Sequence, residues 1–139
     1  MSQGDSQQFI DDTRQQLVVR LTANLAQAAA TYDLATVSGG AIVIDLYNVA
    51  MYVATAGATL TSVSIQTNQT NATTILSATE GAVANLIAQK NLVRVIPVIG
   101  SLYLASGQKL QFTIVGTTGT GSLLVIIPYM AVDAGARLA

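Results

Sequence analysis

The sequence predicts a mainly β protein, an antiparallel sandwich or small barrel behind an N-terminal arm and one short helix. Three observations predict it. From Thr31 onward Thr and β-branched residues dominate, and apolar residues alternate with polar ones at the period of two that a strand imposes. Gly, Ser and Asn punctuate these runs about every 8–12 residues, the spacing of sandwiches and barrels. No helical pattern separates one run from the next, as the crossovers of a parallel α/β sheet would require.

Residues 1–9 read as an arm: they carry Gly4, Gln and Ser and little to bury. Residues 10–30 hold the helix. Ile10, Leu17, Leu21, Leu25 and Ala28 recur at steps that line one helical face, and Asp11, Asp12 or Thr13 can cap its start. Ala26–Ala30 suits a helix interior, although Val18 and Val19 also allow a short strand over Leu17–Leu21. The chain thus divides into residues 1–30, arm and helix, and residues 31–139, the sandwich.

Tyr32–Val37 is the first strand of the sandwich, ended by Ser38-Gly39-Gly40, whose glycines suit a hairpin turn. Ala41–Thr55 is too long for one flat strand, so a bulge is expected near Asn48. Thr59–Thr67 alternates cleanly, with Thr61, Val63, Ile65 and Thr67 on one face. Asn68–Thr74 is a polar loop containing two glycosylation-type triplets, and Ile75–Ala78, Val83–Ala88 and Leu92–Ile96 are shorter strands. Over Val83–Gln89 a helical turn is an alternative. Pro97 places its run at an edge or end. Leu102–Ala105 leads to a turn at Ser106-Gly107. Leu110, Phe112 and Ile114 then share a face, Gly116–Gly121 forms a hairpin tip, and Leu123–Met130 closes the sheet with Pro128 at an edge or bulge. Asp133–Ala139 is a tail.

The 139 residues make one domain, long enough to bury roughly two-thirds of their unfolded surface. Charge is scarce: 9% of residues are Asp, Glu, Lys or Arg and the net charge is -1. None lies between Leu46 and Thr79 or between Leu110 and Val132. A surface so poor in charge is either covered by other subunits or that of a monomer clothed in Thr, Ser, Gln and Asn; for the first, the candidate assembly contacts are Phe9, Ile10, Leu17, Leu21, Leu25, Tyr47 and Tyr52. The scattered cations give no footprint for nucleic acid or an anionic membrane. The acidic N-terminus is not a secretory signal, so synthesis and folding in the cytosol are expected.

Catalysis finds little to work with. The chain has no His and no Cys, which removes the commonest general base, thiol nucleophiles and the usual zinc ligands. Of its acids only Asp33, Asp45 and Glu80 lie within the β body, on different segments, so no paired carboxylates are expected. The glycine-rich GTTGTG lacks the Lys and the following helix of a phosphate loop. The expectation is a non-enzymatic protein without cofactor or metal.

The body from about Tyr32 to Asp133 resembles the small β-sandwich virion proteins of tailed bacteriophages, in particular capsid decoration (cement) proteins. The resemblance is carried by Asp33-Leu-Ala-Thr-Val-Ser-Gly-Gly40 leading into Ala41–Val53, the Thr-rich middle, Gly100–Gln108, and Thr117-Thr-Gly-Thr-Gly-Ser122 before Leu123–Val132. It implies a jelly-roll-like sandwich, a homo-oligomer, usually a trimer, a place on the shell of the major capsid protein in the virion, and a capsid-contacting N-terminal arm. A glycan- or receptor-binding module of a fibre or adhesin, using Tyr47, Tyr52 or Tyr103, and a tail or neck component are the alternatives.

Overall fold

The computed structural model describes residues 16–55, 59–88, 90–92, 99–118 and 120–139. Its strands are β1 (Gln16–Asn24), β2 (Thr31–Ser38), β3 (Ile42–Asp45), β4 (Ala50–Thr55), β5 (Leu60–Thr67), β6 (Thr74–Leu76), β7 (Ser101–Leu104), β8 (Lys109–Gly116), β9 (Ser122–Ala131) and β10 (Arg137–Leu138). One short helix, α1 (Val83–Ala88), lies where a helical turn was the alternative reading.

All pairings are antiparallel. The first sheet has the order β1-β9-β3-β7, with β4 also on β9; the second has the order β10-β2-β8-β5-β6. β3 and β4 lie end to end along the same side of β9. If they are counted as one strand and β10 is set aside, eight strands remain. Numbered in chain order, they run 1-8-3-6 in one sheet and 2-7-4-5 in the other. Two interlocked Greek keys of this kind make a double-sheet jelly roll.

The N-terminal segment differs from the helix expected over residues 10–30. Residues 16–24 form β1, paired with β9 along its whole length from Gln16↔Met130 to Asn24↔Ser122. Steps of four, as in Leu17, Leu21 and Leu25, satisfy a helix and a strand alike. Val19 and Ala23 fill the intermediate positions and complete a period of two, with Leu21, Ala23 and Leu25 buried. Residues 16–24, which the division at residue 31 leaves outside the sandwich, therefore belong to its first sheet. Ile10 and the Asp11–Thr13 cap lie outside the described residues, as does the strand expected at Leu92–Ile96 beyond Leu92, together with Pro97.

Two expected hairpins are instead crossings between sheets. Gly39 and Gly40 have the expected positive φ, 74° and 132°. They carry the chain from β2 in the second sheet to β3 in the first, packed against the C-terminal segment. Gly116–Gly121 likewise links β8 of the second sheet to β9 of the first. A positive φ permits a sharp reversal but says nothing about which sheet receives the next strand.

Strand β9 is central, not the closing edge. β1 flanks one side, β3 and β4 the other. Pro128 survives there because the ladder to β3 and β4 is broken opposite it: Ile44 pairs with Tyr129 and Ala50 with Ile126, and the 3₁₀ turn Leu46–Asn48 fills the gap. This turn is the break expected near Asn48. In β5 a register shift between Leu60 and Ser62 turns Thr61 outward and brings Leu60 to the core. The expected tail contains β10, which pairs with β2 and buries Leu138.

The core lies between the sheets. Ile42, Ile44, Leu123, Val125 and Ile127 face Val63, Ile65, Leu110, Phe112 and Ile114, all buried. Each such side chain contributes about 1.5–3 kcal/mol of apolar transfer. Tyr32 stacks on Phe112 at 5.5 Å between ring centroids.

Candidate assembly surface

The outer faces of the two sheets differ in chemistry. On the second sheet, the residues turned away from the core form a polar network. Lys109 Nζ meets Asp33 Oδ2 at 2.7 Å, and Gln111 Nε2 donates to Asp33 Oδ1 at 2.9 Å. The hydroxyls of Thr31 and Thr113 share a bond of 2.9 Å. Ser64 lies beside Thr113 and Gln66 beside Gln111. The bonds from Gln111 and Lys109 hold the Asp33 carboxyl below its ordinary range.

On the first sheet the outward residues are largely apolar. The register aligns them in rows across the strands. One row runs Gln16, Met130, Val43, Tyr103. The next pairs Val18 with Pro128. Then come Arg20, Ile126, Ala50 and, further on, Thr22, Leu124, Tyr52. Val18 is 61% exposed, Tyr103 58% and Met130 42%, high values for large apolar groups. Val43, Leu124 and Ile126 are half-buried. Arg20 and Asp45 are the only acid or base on these outward positions. The surface is shallow; its depression beside Gln16, Val43, Asp45, Ser101 and Met130 holds about 220 Å³.

The residues singled out from the sequence fall in three places. Phe9 and Ile10 lie outside the described residues. Leu17, Leu21 and Leu25 turn inward: Leu21 and Leu25 are buried, and Leu17 packs against the core. The apolar area they carry is thus covered by the chain's own sandwich. Tyr47 and Tyr52 are exposed on the first-sheet side. Tyr47 sits in the 3₁₀ turn with its ring against Gly100, where any Cβ would lie 2.1 Å from a ring carbon. Tyr52 lies level with Leu124 and Tyr103 level with Met130, by way of Val43. Six residues of β9 separate these rows, roughly 20 Å at 3.3 Å per residue, too far for the two rings to grip one sugar.

Sequence reasoning missed Val18 and Met130 as surface candidates, and offered Tyr103 only for the glycan- or receptor-binding alternative. A signal was present. Leu123–Met130 is apolar at both parities, and a strand apolar on both faces has two faces to cover.

Each described carboxylate of the body is engaged in local structure. Asp45 accepts from Tyr47 N at 3.2 Å and from Asn48 Nδ2 at 2.8 Å, capping the 3₁₀ turn. Glu80 Oε1 accepts from Ser77 N at 2.9 Å while Ser77 Oγ accepts from Glu80 N at 3.1 Å, a reciprocal cap around the turn before α1. Asp133 Oδ2 accepts from Ala41 N at 2.9 Å and ties the C-terminal segment to the Gly39-Gly40 crossing. Among the described residues no three acids, His or Cys gather as metal ligands would.

No known protein family matches the chain, and no curated protein matches it. Among solved structures it is similar to a virus-like particle of the extra small virus of the giant freshwater prawn Macrobrachium rosenbergii. The identity is 11%, over 85% of this chain and 79% of that one, with a TM-score of 0.39. It is also similar to the nucleoplasmin-like N-terminal domain of Drosophila FKBP39, at 10% identity over 88% and 95% and a TM-score of 0.31. A third likeness, to infectious bursal disease virus strain Gx, is 9% identical over 91% of this chain and 39% of that one, with a TM-score of 0.20. The jelly-roll assignment stands on the strand order.

Proposed function

We propose that this chain is a non-enzymatic structural protein of a virion, which binds and stabilises a capsid shell as a decoration (cement) protein. The observation that carries the proposal is the two-sided sandwich. One sheet presents a largely apolar outer face, with Arg20 and Asp45 as its only charges, suited to protein, and the other a hydrogen-bonded polar face suited to water. A module that must lie within an assembly and still meet solvent needs both. The double-sheet jelly roll supports the reading, because that architecture recurs in viral capsid domains, although it also serves lectins and cupins.

In this reading the protein is a homo-oligomer, with the trimer as the symmetry that the decoration-protein resemblance implies. Its partner is the major capsid protein, and burial of neutral surface repeated over the shell gives the avidity. Residues 1–15 precede β1 and provide the capsid-binding arm. The deletion that tests the arm must stop at residue 15, because removal through residue 30 would take β1 from the first sheet.

The experiment is co-sedimentation with shells assembled from the major capsid protein of the same genome. Saturable binding and a higher shell melting temperature are expected, with binding reduced when residues 1–15 are removed. Shells that neither bind the intact chain nor gain heat resistance from it would refute the decoration role.

A further inference from the structure

We infer that the outer face of the first sheet is a self-complementary contact that pairs with the same face of a second copy. Three features select this occupant. The first is size. β1 is nine residues long. With β9 and the end-to-end β3 and β4 beside it, it spans about 30 Å by about 14 Å, and the four residues of β7 bring the face to roughly 500 Å² in plan, at strand spacings of about 4.8 Å. That lies in the upper part of the range for patches left bare on monomers. With side-chain relief added, it approaches the ~800 Å² per partner of a standard contact.

The second feature is shape. The depression within the face, about 220 Å³, falls short of the ~300 Å³ at which small-molecule pockets begin, and the wider one of about 360 Å³ that Val18 borders lies at the sheet's edge beside Gly135, Ala136 and Arg137. Two sheets stack naturally with their side chains interdigitated, about 10 Å apart. Val18, Met130, Val43 and Tyr103 provide that relief.

Charge is the third. Arg20 on β1 and Asp45 on β3 have opposite signs, and Arg20 has no carboxylate partner among the described residues. Arg20 is level with Ile126, and Asp45 follows Ile44, which is level with Tyr129. They stand about two strand spacings and two residues apart, roughly 12 Å, where salt screens one from the other within a copy. In an isologous contact, whatever residue i meets on its partner, the partner's residue i meets in return. A two-fold pairing can therefore bring each Arg20 to the other copy's Asp45, two ion pairs in all. The Asp45 oxygens each accept one bond in the turn and retain lone pairs for the guanidinium. A nucleic acid or anionic membrane would need a cationic face, which this is not.

The inference rests on the assembly part of the proposed function and not on its viral part, so the two can fail separately. The experiment is light scattering after size-exclusion chromatography on the full chain over a dilution series. Far-UV circular dichroism confirms the fold of each variant. An even multiple of the 14.4 kDa chain is expected, a dimer through this contact alone or a hexamer where two trimers pair through it. Val18→Asp and Met130→Asp should each weaken self-association at least about tenfold. Val115→Asp, on the outer face of the second sheet, should leave it unchanged. Arg20→Glu, which sets like charges against Asp45, should weaken it most at low salt. A wild-type monomer at about 100 μM, or a plain trimer indifferent to Val18→Asp, overturns the inference whether or not shells are bound. A wild-type chain that stays monomeric and uses this face on neutral lipid vesicles overturns it as well.

Discussion

Thr67 allows a sharp test of how the loops are held. It ends β5 fully buried, one of two buried polar residues among those described. Its hydroxyl donates to Gln69 Oε1 at 3.2 Å and accepts from Thr73 N at 2.9 Å. Gln69 Nε2 continues to Gln108 Oε1 at 3.1 Å, which also accepts from Ala105 N at 2.7 Å. One hydroxyl thus connects the β5–β6 loop to the turn between β7 and β8. Thr67→Val keeps the shape and removes the hydroxyl. Two partners lose a bond at about 1 kcal/mol each, and the added methyl returns less than about 1 kcal/mol through apolar burial. The expected net loss is about 1–2 kcal/mol. Thr67→Ser keeps both bonds and loses a buried methyl, about 1 kcal/mol. Urea unfolding followed by circular dichroism, at one protein concentration because self-association stabilises by mass action, gives the comparison. With a slope of roughly 2 kcal/mol/M, the Val midpoint should fall by about 0.5–1 M, and the Thr73 amide should exchange faster. The hydrogen-bond network predicts that this variant is destabilised, whereas burial alone predicts that it is stabilised. A Thr67→Val protein as stable as wild type, with Thr73 still protected, would show that burial and not the network holds the loop.

Four further outcomes are expected. Gly81→Ala should unfold the chain or cost more than about 3 kcal/mol, since its Cβ would lie 1.8 Å from Val63 O, a backbone atom that cannot swing away. Gly107→Ala, at φ +89° with open space around it, should cost only about 1–2 kcal/mol; equal melting temperatures for the two variants would contradict this. Removing residues 137–139 should destabilise by at least about 2 kcal/mol in thermal melts, because Leu138 is buried and Thr36 N donates to Ala139 O at 2.7 Å. For Asp33 the folded carboxyl titrates below its ordinary 3.8, so its contribution to stability is present above that value and is lost as pH falls through the depressed folded value. An NMR titration should find the Asp33 carboxyl moved upward by Gln111→Ala, and an unmoved titration would remove Gln111 as the cause.

What the sequence determined by itself was local. Leu110, Phe112 and Ile114 in β8, and Val63, Ile65 and Thr67 in β5, face inward as their alternation dictates, because successive side chains of a strand must point to opposite sides. The turns at Gly39-Gly40 and Ser106-Gly107 were legible for an equally local reason: Gly39, Gly40 and Gly107 take positive φ there. The exposure of Tyr47 and Tyr52 was legible too. Only the tertiary structure decided the rest. Leu17, Leu21 and Leu25 fit two periods, and the pairing with β9 selected the strand and turned them inward. The glycine crossings could not announce their destinations, since the sheet that a strand joins depends on partners far away in the chain. Nor could the apolar face be read linearly. Val18, Val43, Tyr103 and Met130 are scattered over more than a hundred positions, and a single row of antiparallel register, with its neighbour, makes them one surface.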